Sequence, residues 1–101
     1  MTEHIIKNLV HLNAISCDEI VLHKNKSLHL KASLETTTIL YCICGASIIH
    51  VLDSSLRIVD TLPLVSGETY VLPDNAKAFL VESLNASDQD LKFLKIVTRN
   101  T

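Results

Sequence analysis

Thr38-Ile39-Leu40-Tyr41-Cys42-Ile43-Cys44-Gly45 carries apolar residues on both parities into a glycine, and Gly67-Glu68-Thr69-Tyr70-Val71-Leu72-Pro73-Asp74-Asn75 sets a second short run between turn residues. β-Branched and aromatic residues at this density favour extended chain, whereas glycine, proline, aspartate and asparagine interrupt it. From Ile20 onward such runs recur, broken at Lys24-Asn25-Lys26, Gly45-Ala46, Asp53-Ser54-Ser55, Ser66-Gly67, Pro73-Asp74-Asn75 and Asn85 to Asp90. Short strands at that spacing predict an all-β sandwich or barrel.

The rest of the chain agrees with one such unit. At 101 residues and 48% hydrophobic, it is long enough for one core and too apolar for disorder. No apolar run approaches the length of a membrane span, and no signal-peptide layout opens the chain, so it reads as cytoplasmic with no membrane partner. A net charge of -2, with nine Lys and Arg spread singly, argues against nucleic acid. The three cysteines make no disulfide framework, because Cys42 and Cys44 are too close for an easy bridge. Asn25-Lys26-Ser27 and Asn85-Ala86-Ser87 match the glycosylation sequon, a pattern too short to outweigh these signs.

Residues 1–19 read as an N-terminal arm or short strand and residues 20–98 as the barrel. In Ser27 to Leu34, Leu28, Leu30, Ala32 and Leu34 alternate with Ser27, His29, Lys31 and Ser33, the pattern of a half-buried strand. Gly45-Ala46 suits a two-residue type II′ hairpin, which needs positive φ at its first central residue. Pairing outward from that turn sets Cys44 opposite Ser47, Cys42 opposite Ile49 and Leu40 opposite Val51. The other face then gathers Ile39, Tyr41, Ile43, Ile48, His50 and Leu52. An apolar second face needs a cover, so these six residues are the expected homodimer interface.

Gly67, five residues, Pro73 and then Asn75, preceded by the frame Thr38-x6-Gly45, resembles the two signature motifs of the cupin superfamily over about residues 27 to 84. The resemblance implies a cupin-like antiparallel β-barrel or jelly-roll sandwich in a single domain. Asn75 stands where the motif has glycine and is expected to be left-handed. The motif's metal ligands fall on Thr38, on Ala78, and on Ala32 and Leu34, or on Lys31 and Ser33 with the longer spacer. None of these side chains ligates a transition metal, so no metal and no other cofactor is expected.

Inside such a barrel the polar or reactive candidates for small-ligand binding are Thr38, Cys42, Cys44, Tyr70 and Glu82. Cys42 and Cys44 share a face and read first as small core hydrophobes, with a soft-metal pair or a nucleophile as the alternative. Glu82 would share the lumen face with Ala78, where an apolar mouth raises a carboxyl pKa; a rim position in water is the plainer reading. The five histidines have no ligand or triad spacing. No catalytic residue is assigned. The expected function is a metal-free, non-catalytic binding or assembly module, the alternative a metal-independent isomerase or epimerase acting on a sugar derivative.

Overall fold

The computed structural model describes residues 4–84 and 89–100. Among these residues the chain forms nine strands: β1 (His4–His11), β2 (Ile15–Leu22), β3 (Ser27–Lys31), β4 (Thr36–Cys44), β5 (Ala46–Leu52), β6 (Ile58–Val65), β7 (Thr69–Val71), β8 (Ala78–Ser83) and β9 (Leu91–Arg99). They build two antiparallel sheets, one of order β1-β2-β9-β4-β7 and one of order β3-β8-β5-β6. Apart from the β1–β2 and β5–β6 hairpins, successive strands belong to opposite sheets, so the chain laces two layers together in jelly-roll fashion. The Cα radius of gyration is 13.0 Å, that of a compact domain of about 100 residues. No described helix is long and apolar enough to cross a membrane.

The core follows from period-two alternation. Ile20 and Leu22 of β2, Leu40 and Cys42 of β4, and Leu91 and Phe93 of β9 turn inward against Ile49, Val51, Leu64, Phe79 and Val81 of the other sheet. Each large apolar side chain so buried contributes about 1.5–3 kcal/mol relative to exposure. Leu28, Leu30 and Ala32 pack against this cluster, but Leu34 lies beyond β3 and is exposed. Residues 4–11 are a true edge strand, and β2 runs straight through the expected arm boundary at residue 19. It pairs with β9 residue for residue from Ile15↔Thr98 to Leu22↔Leu91, with no irregularity at that boundary.

Gly45 does adopt positive φ, at 94°, yet the hairpin expected there does not form. β4 pairs with β9 and β7, whereas β5 pairs with β6 and β8. Gly45 is a corner between sheets, needed because the Asp90–Leu91 backbone crosses it: an added Cβ would lie 2.8 Å from Leu91 Cα and 3.0 Å from the Asp90 carbonyl oxygen. Inward and outward faces were legible all the same, since Leu40, Cys42, Ser47, Ile49 and Val51 are all buried. The expected dimer patch is divided by the corner. Ile39, Tyr41 and Ile43 belong to the five-stranded sheet, and Ile48, His50 and Leu52 to the four-stranded one, with Leu52 itself buried.

The turns hold a second correction. Asn75 is not left-handed, and its turn closes by Ala76 N–H donating to the Pro73 carbonyl at 3.1 Å. Among the described residues the non-glycine ones at positive φ are Asn25 (62°) and Leu56 (61°). Asn25 tolerates the region, whereas leucine there costs about 1–2 kcal/mol. Leu56 accepts it because Asp53 organises the loop, its carboxylate accepting from the N–H groups of Ser55 (2.9 Å) and Arg57 (3.0 Å). These bonds, the Arg57 one first, hold the Asp53 carboxyl below its ordinary pKa. Since Leu56 is exposed, Leu56→Gly should gain about 0.5–1 kcal/mol after glycine's own entropy cost. Asn25→Val should lose about 1–2 kcal/mol. Urea denaturation of both variants checks the pair, and the reverse order of stability would overturn the turn assignments. The break expected at Asn85 to Asp90, with the tripeptide Asn85-Ala86-Ser87, lies mostly outside the described residues.

Candidate functional site

The inner face of the five-stranded sheet changes from apolar to polar along its length. Cross-strand register aligns Ile20, Phe93 and Cys42 in one row, Asp18, Lys95 and Leu40 in the next, and Ser16, Val97 and Thr38 beyond that. The first row is sealed; in the later ones Leu40 and Thr38 stay buried while Asp18, Lys95, Ser16 and Val97 are half-buried. Lys95 Nζ lies 3.7 Å from Asp18 Oδ2, each side chain about one-fifth exposed. Asn8 Nδ2 donates to Asp18 Oδ1 at 2.8 Å and to the Val10 carbonyl at 3.1 Å, which ties the edge strand to this pair. Tyr70, opposite Leu40, is half-buried. Burial first, and then the Asp60 carboxylate it hydrogen-bonds, pushes its phenol pKa upward.

Of the expected lumen residues, Thr38 and Cys42 are interior and Tyr70 sits at the mouth. Cys42 Sγ lies 3.6 Å from the Cys44 carbonyl, and burial, followed by Cys44 and Glu68, pushes the thiol up to about 11. It is therefore protonated at neutral pH and is no nucleophile. Cys44 follows a bulge in β4 that turns it out of the row, its thiol 3.8 Å from the Asp90 carbonyl. Among the described residues no three His, Cys, Asp or Glu side chains converge in a metal-binding cluster.

Glu82 is a correction. It faces outward, because from Phe79 onward the buried residues of β8 are Phe79, Val81 and Ser83 while Leu80 and Glu82 are half-buried on the other parity; Ala78, at the start of the strand, is buried as well. On that outer face its Oε1 lies 2.5 Å from His50 Nε2, and His50 Nδ1 lies 3.1 Å from Thr61 Oγ1. Beside Glu82 is a recess of about 290 Å³ between the β2–β3 turn and β8. Sequence reasoning missed these partners, as it missed Asp18, Lys95, Asn8 and Asp60. The only signal was a charged residue in phase with buried ones, as in Asp18-x-Ile20-x-Leu22 and Phe93-x-Lys95.

The outer face of the five-stranded sheet carries a different feature. Val10, Cys17, Ile96, Ile39 and Val71 stand side by side across all five strands. None is buried; Val10 is 41% exposed and Val71 52%. Leu94 and Tyr41 extend the row on one side.

The chain matches no protein-family model and no curated protein by sequence. Its fold is nevertheless that of known cupins. The Cupin_2 domain of an XRE family transcriptional regulator from Enterobacter cloacae superposes with a TM-score of 0.77 at 10% identity, over 99% of this chain and 100% of that one. KdgF from Halomonas sp. gives 0.74 at 12% identity, over 98% and 81%. Ectoine synthase from P. lautus gives 0.71 at 14% identity, over 98% and 67%. The protein is thus an all-β, cupin-like sandwich; identities this low establish architecture and not activity.

Proposed function

We propose that this protein is a metal-free, non-catalytic cupin-like module that works by association, as a cytoplasmic homodimer joined through the outer face of the five-stranded sheet. The observation that carries the reading is the apolar row from Val10 to Val71 across every strand of that sheet. Contiguous apolar patches of several hundred Å² are unusual on soluble monomers, and a flat sheet face is covered most simply by its own two-fold copy. The filled interior supports the same reading, because Phe79, Phe93, Leu40 and Val81 occupy the space between the sheets.

Sedimentation of the unmodified protein at tens of micromolar is expected to give a dimer, and the double variant Ile39→Glu with Ile96→Glu a folded monomer. Ile48→Glu, on the other sheet, is expected to leave the dimer intact. A monomeric unmodified protein would sink the proposal.

A metal-independent isomerase or epimerase acting on a sugar derivative is the second reading, and the titratable pairs at the mouth, Tyr70 with Asp60 and Lys95 with Asp18, favour it. Each of these groups is already engaged by its partner, which weakens the case for an acid–base pair. Similar folds include both a synthase and a regulator's domain by name.

A further inference from the structure

The recess on the outer face of the four-stranded sheet lies on the opposite side of the molecule from the apolar row, and its chemistry is of another kind. Asn25, Lys26, Ser27, Glu82 and two leucines, Leu80 and Leu84, line it together with Ser83. Its volume of about 290 Å³ stands at the small end of ligand pockets, which begin near roughly 300 Å³. One ring fits there and a longer molecule does not.

Glu82 is aimed by its neighbours. Thr61, His50 and Glu82 belong to the adjacent strands β6, β5 and β8, and the imidazole bridges hydroxyl and carboxylate. A neutral His50 donates from Nε2 to Glu82 and accepts at Nδ1 from the Thr61 hydroxyl; a protonated one donates to both, since a hydroxyl serves either way. The bridge occupies Oε1 of Glu82 and orders the carboxylate, whose side chain is 46% exposed against 17% for His50. Oε2 is not needed for that bond.

We propose that this recess binds an uncharged, polyhydroxylated ring of monosaccharide size, with Glu82 accepting hydrogen bonds from adjacent hydroxyls. The lining matches that chemistry on each side. A carboxylate accepts from hydroxyl groups, the Asn25 amide and Ser27 hydroxyl both donate and accept, and Leu80 and Leu84 offer apolar contact to the C–H face of a ring. With one acidic and one basic side chain, Glu82 and Lys26, in the lining, the recess suits a ligand without net charge. A quaternary cation lacks the aromatic faces that would hold it, for none of the described residues lining the recess is aromatic.

Titration of the ¹⁵N-labelled full chain with D-glucose, D-mannose and myo-inositol, followed by amide chemical shifts, tests the assignment. Saturable shifts within tens of millimolar are expected for at least one of the three, at Asn25 to Ser27 and Leu80 to Leu84. Glu82→Gln should weaken binding about tenfold, the effect of losing a charge-assisted hydrogen bond. His50→Gln should weaken it less, by releasing the carboxylate. The proposal is overturned if none of the three probes gives saturable shifts, if inorganic phosphate shifts these amides instead, or if Glu82→Gln binds as the unmodified protein does. Because the dimer face is on the other sheet, each proposal can fail without the other.

Discussion

Gly45→Ala is expected to cost about 3 kcal/mol or more in urea denaturation, against about 1–2 kcal/mol for Gly67→Ala. Both glycines have positive φ, 94° and 87°, so both substitutions incur the left-handed penalty. They differ in what the new methyl group meets. At Gly67 nothing lies within 4 Å, whereas at Gly45 the Leu91 Cα and the Asp90 carbonyl oxygen lie 2.8 and 3.0 Å away. Those neighbours are backbone, Leu91 at the start of β9 paired with Leu22 of β2 and Asp90 just before it, and cannot turn aside as a flexible side chain would. Overpacking of this kind adds about 1–3 kcal/mol to the conformational term. Equal losses at the two positions would mean that the corner is not clamped by β9.

Phe93→Ala is expected to lose about 3–5 kcal/mol, the usual range for deleting a buried phenylalanine. The ring is 1% exposed and lies in the row with Ile20 and Cys42, in the middle strand of the five-stranded sheet. A domain of this size has only about 5–15 kcal/mol in total, so the variant should be largely unfolded or melt far below the unmodified protein. Ile58→Ala supplies the contrast, since Ile58 is 58% exposed on β6 and such a change usually stays within about 0.5 kcal/mol. Calorimetry of the two variants reads the difference. A Phe93→Ala protein as stable as the Ile58→Ala one would show that the space between the sheets is not close-packed.

Much of this architecture is written in local pattern. Turn residues at Lys24-Asn25-Lys26, Asp53-Ser54-Ser55, Ser66-Gly67 and Pro73-Asp74-Asn75 mark where strands end, and they do end there. Period-two alternation assigns Leu40, Cys42, Ile49 and Val51 to the interior because side chains on a strand point alternately to its two faces. The same rule misleads at Glu82, where the motif frame set the parity from Ala78 and the buried Phe79, Val81 and Ser83 set it the other way.

By itself, then, the amino-acid order determined an all-β single domain, its strand breaks, the inward residues of β4 and β5, and the need for positive φ at Gly45. These are short-range matters, decided by one residue's conformational freedom or by neighbours two apart. Only the tertiary structure decided that Gly45 turns the chain into the opposite sheet, since a glycine at positive φ serves a hairpin and a corner equally. That choice rests on what lies beside it, the Asp90–Leu91 backbone from the far end of the chain. The same holds for Asp18 with Lys95, Tyr70 with Asp60, and Thr61 with His50 and Glu82. Each joins different strands, Asp18 to Lys95 and His50 to Glu82 across long stretches of sequence, and period-two pattern names the face of a residue but never the strand that will lie against it.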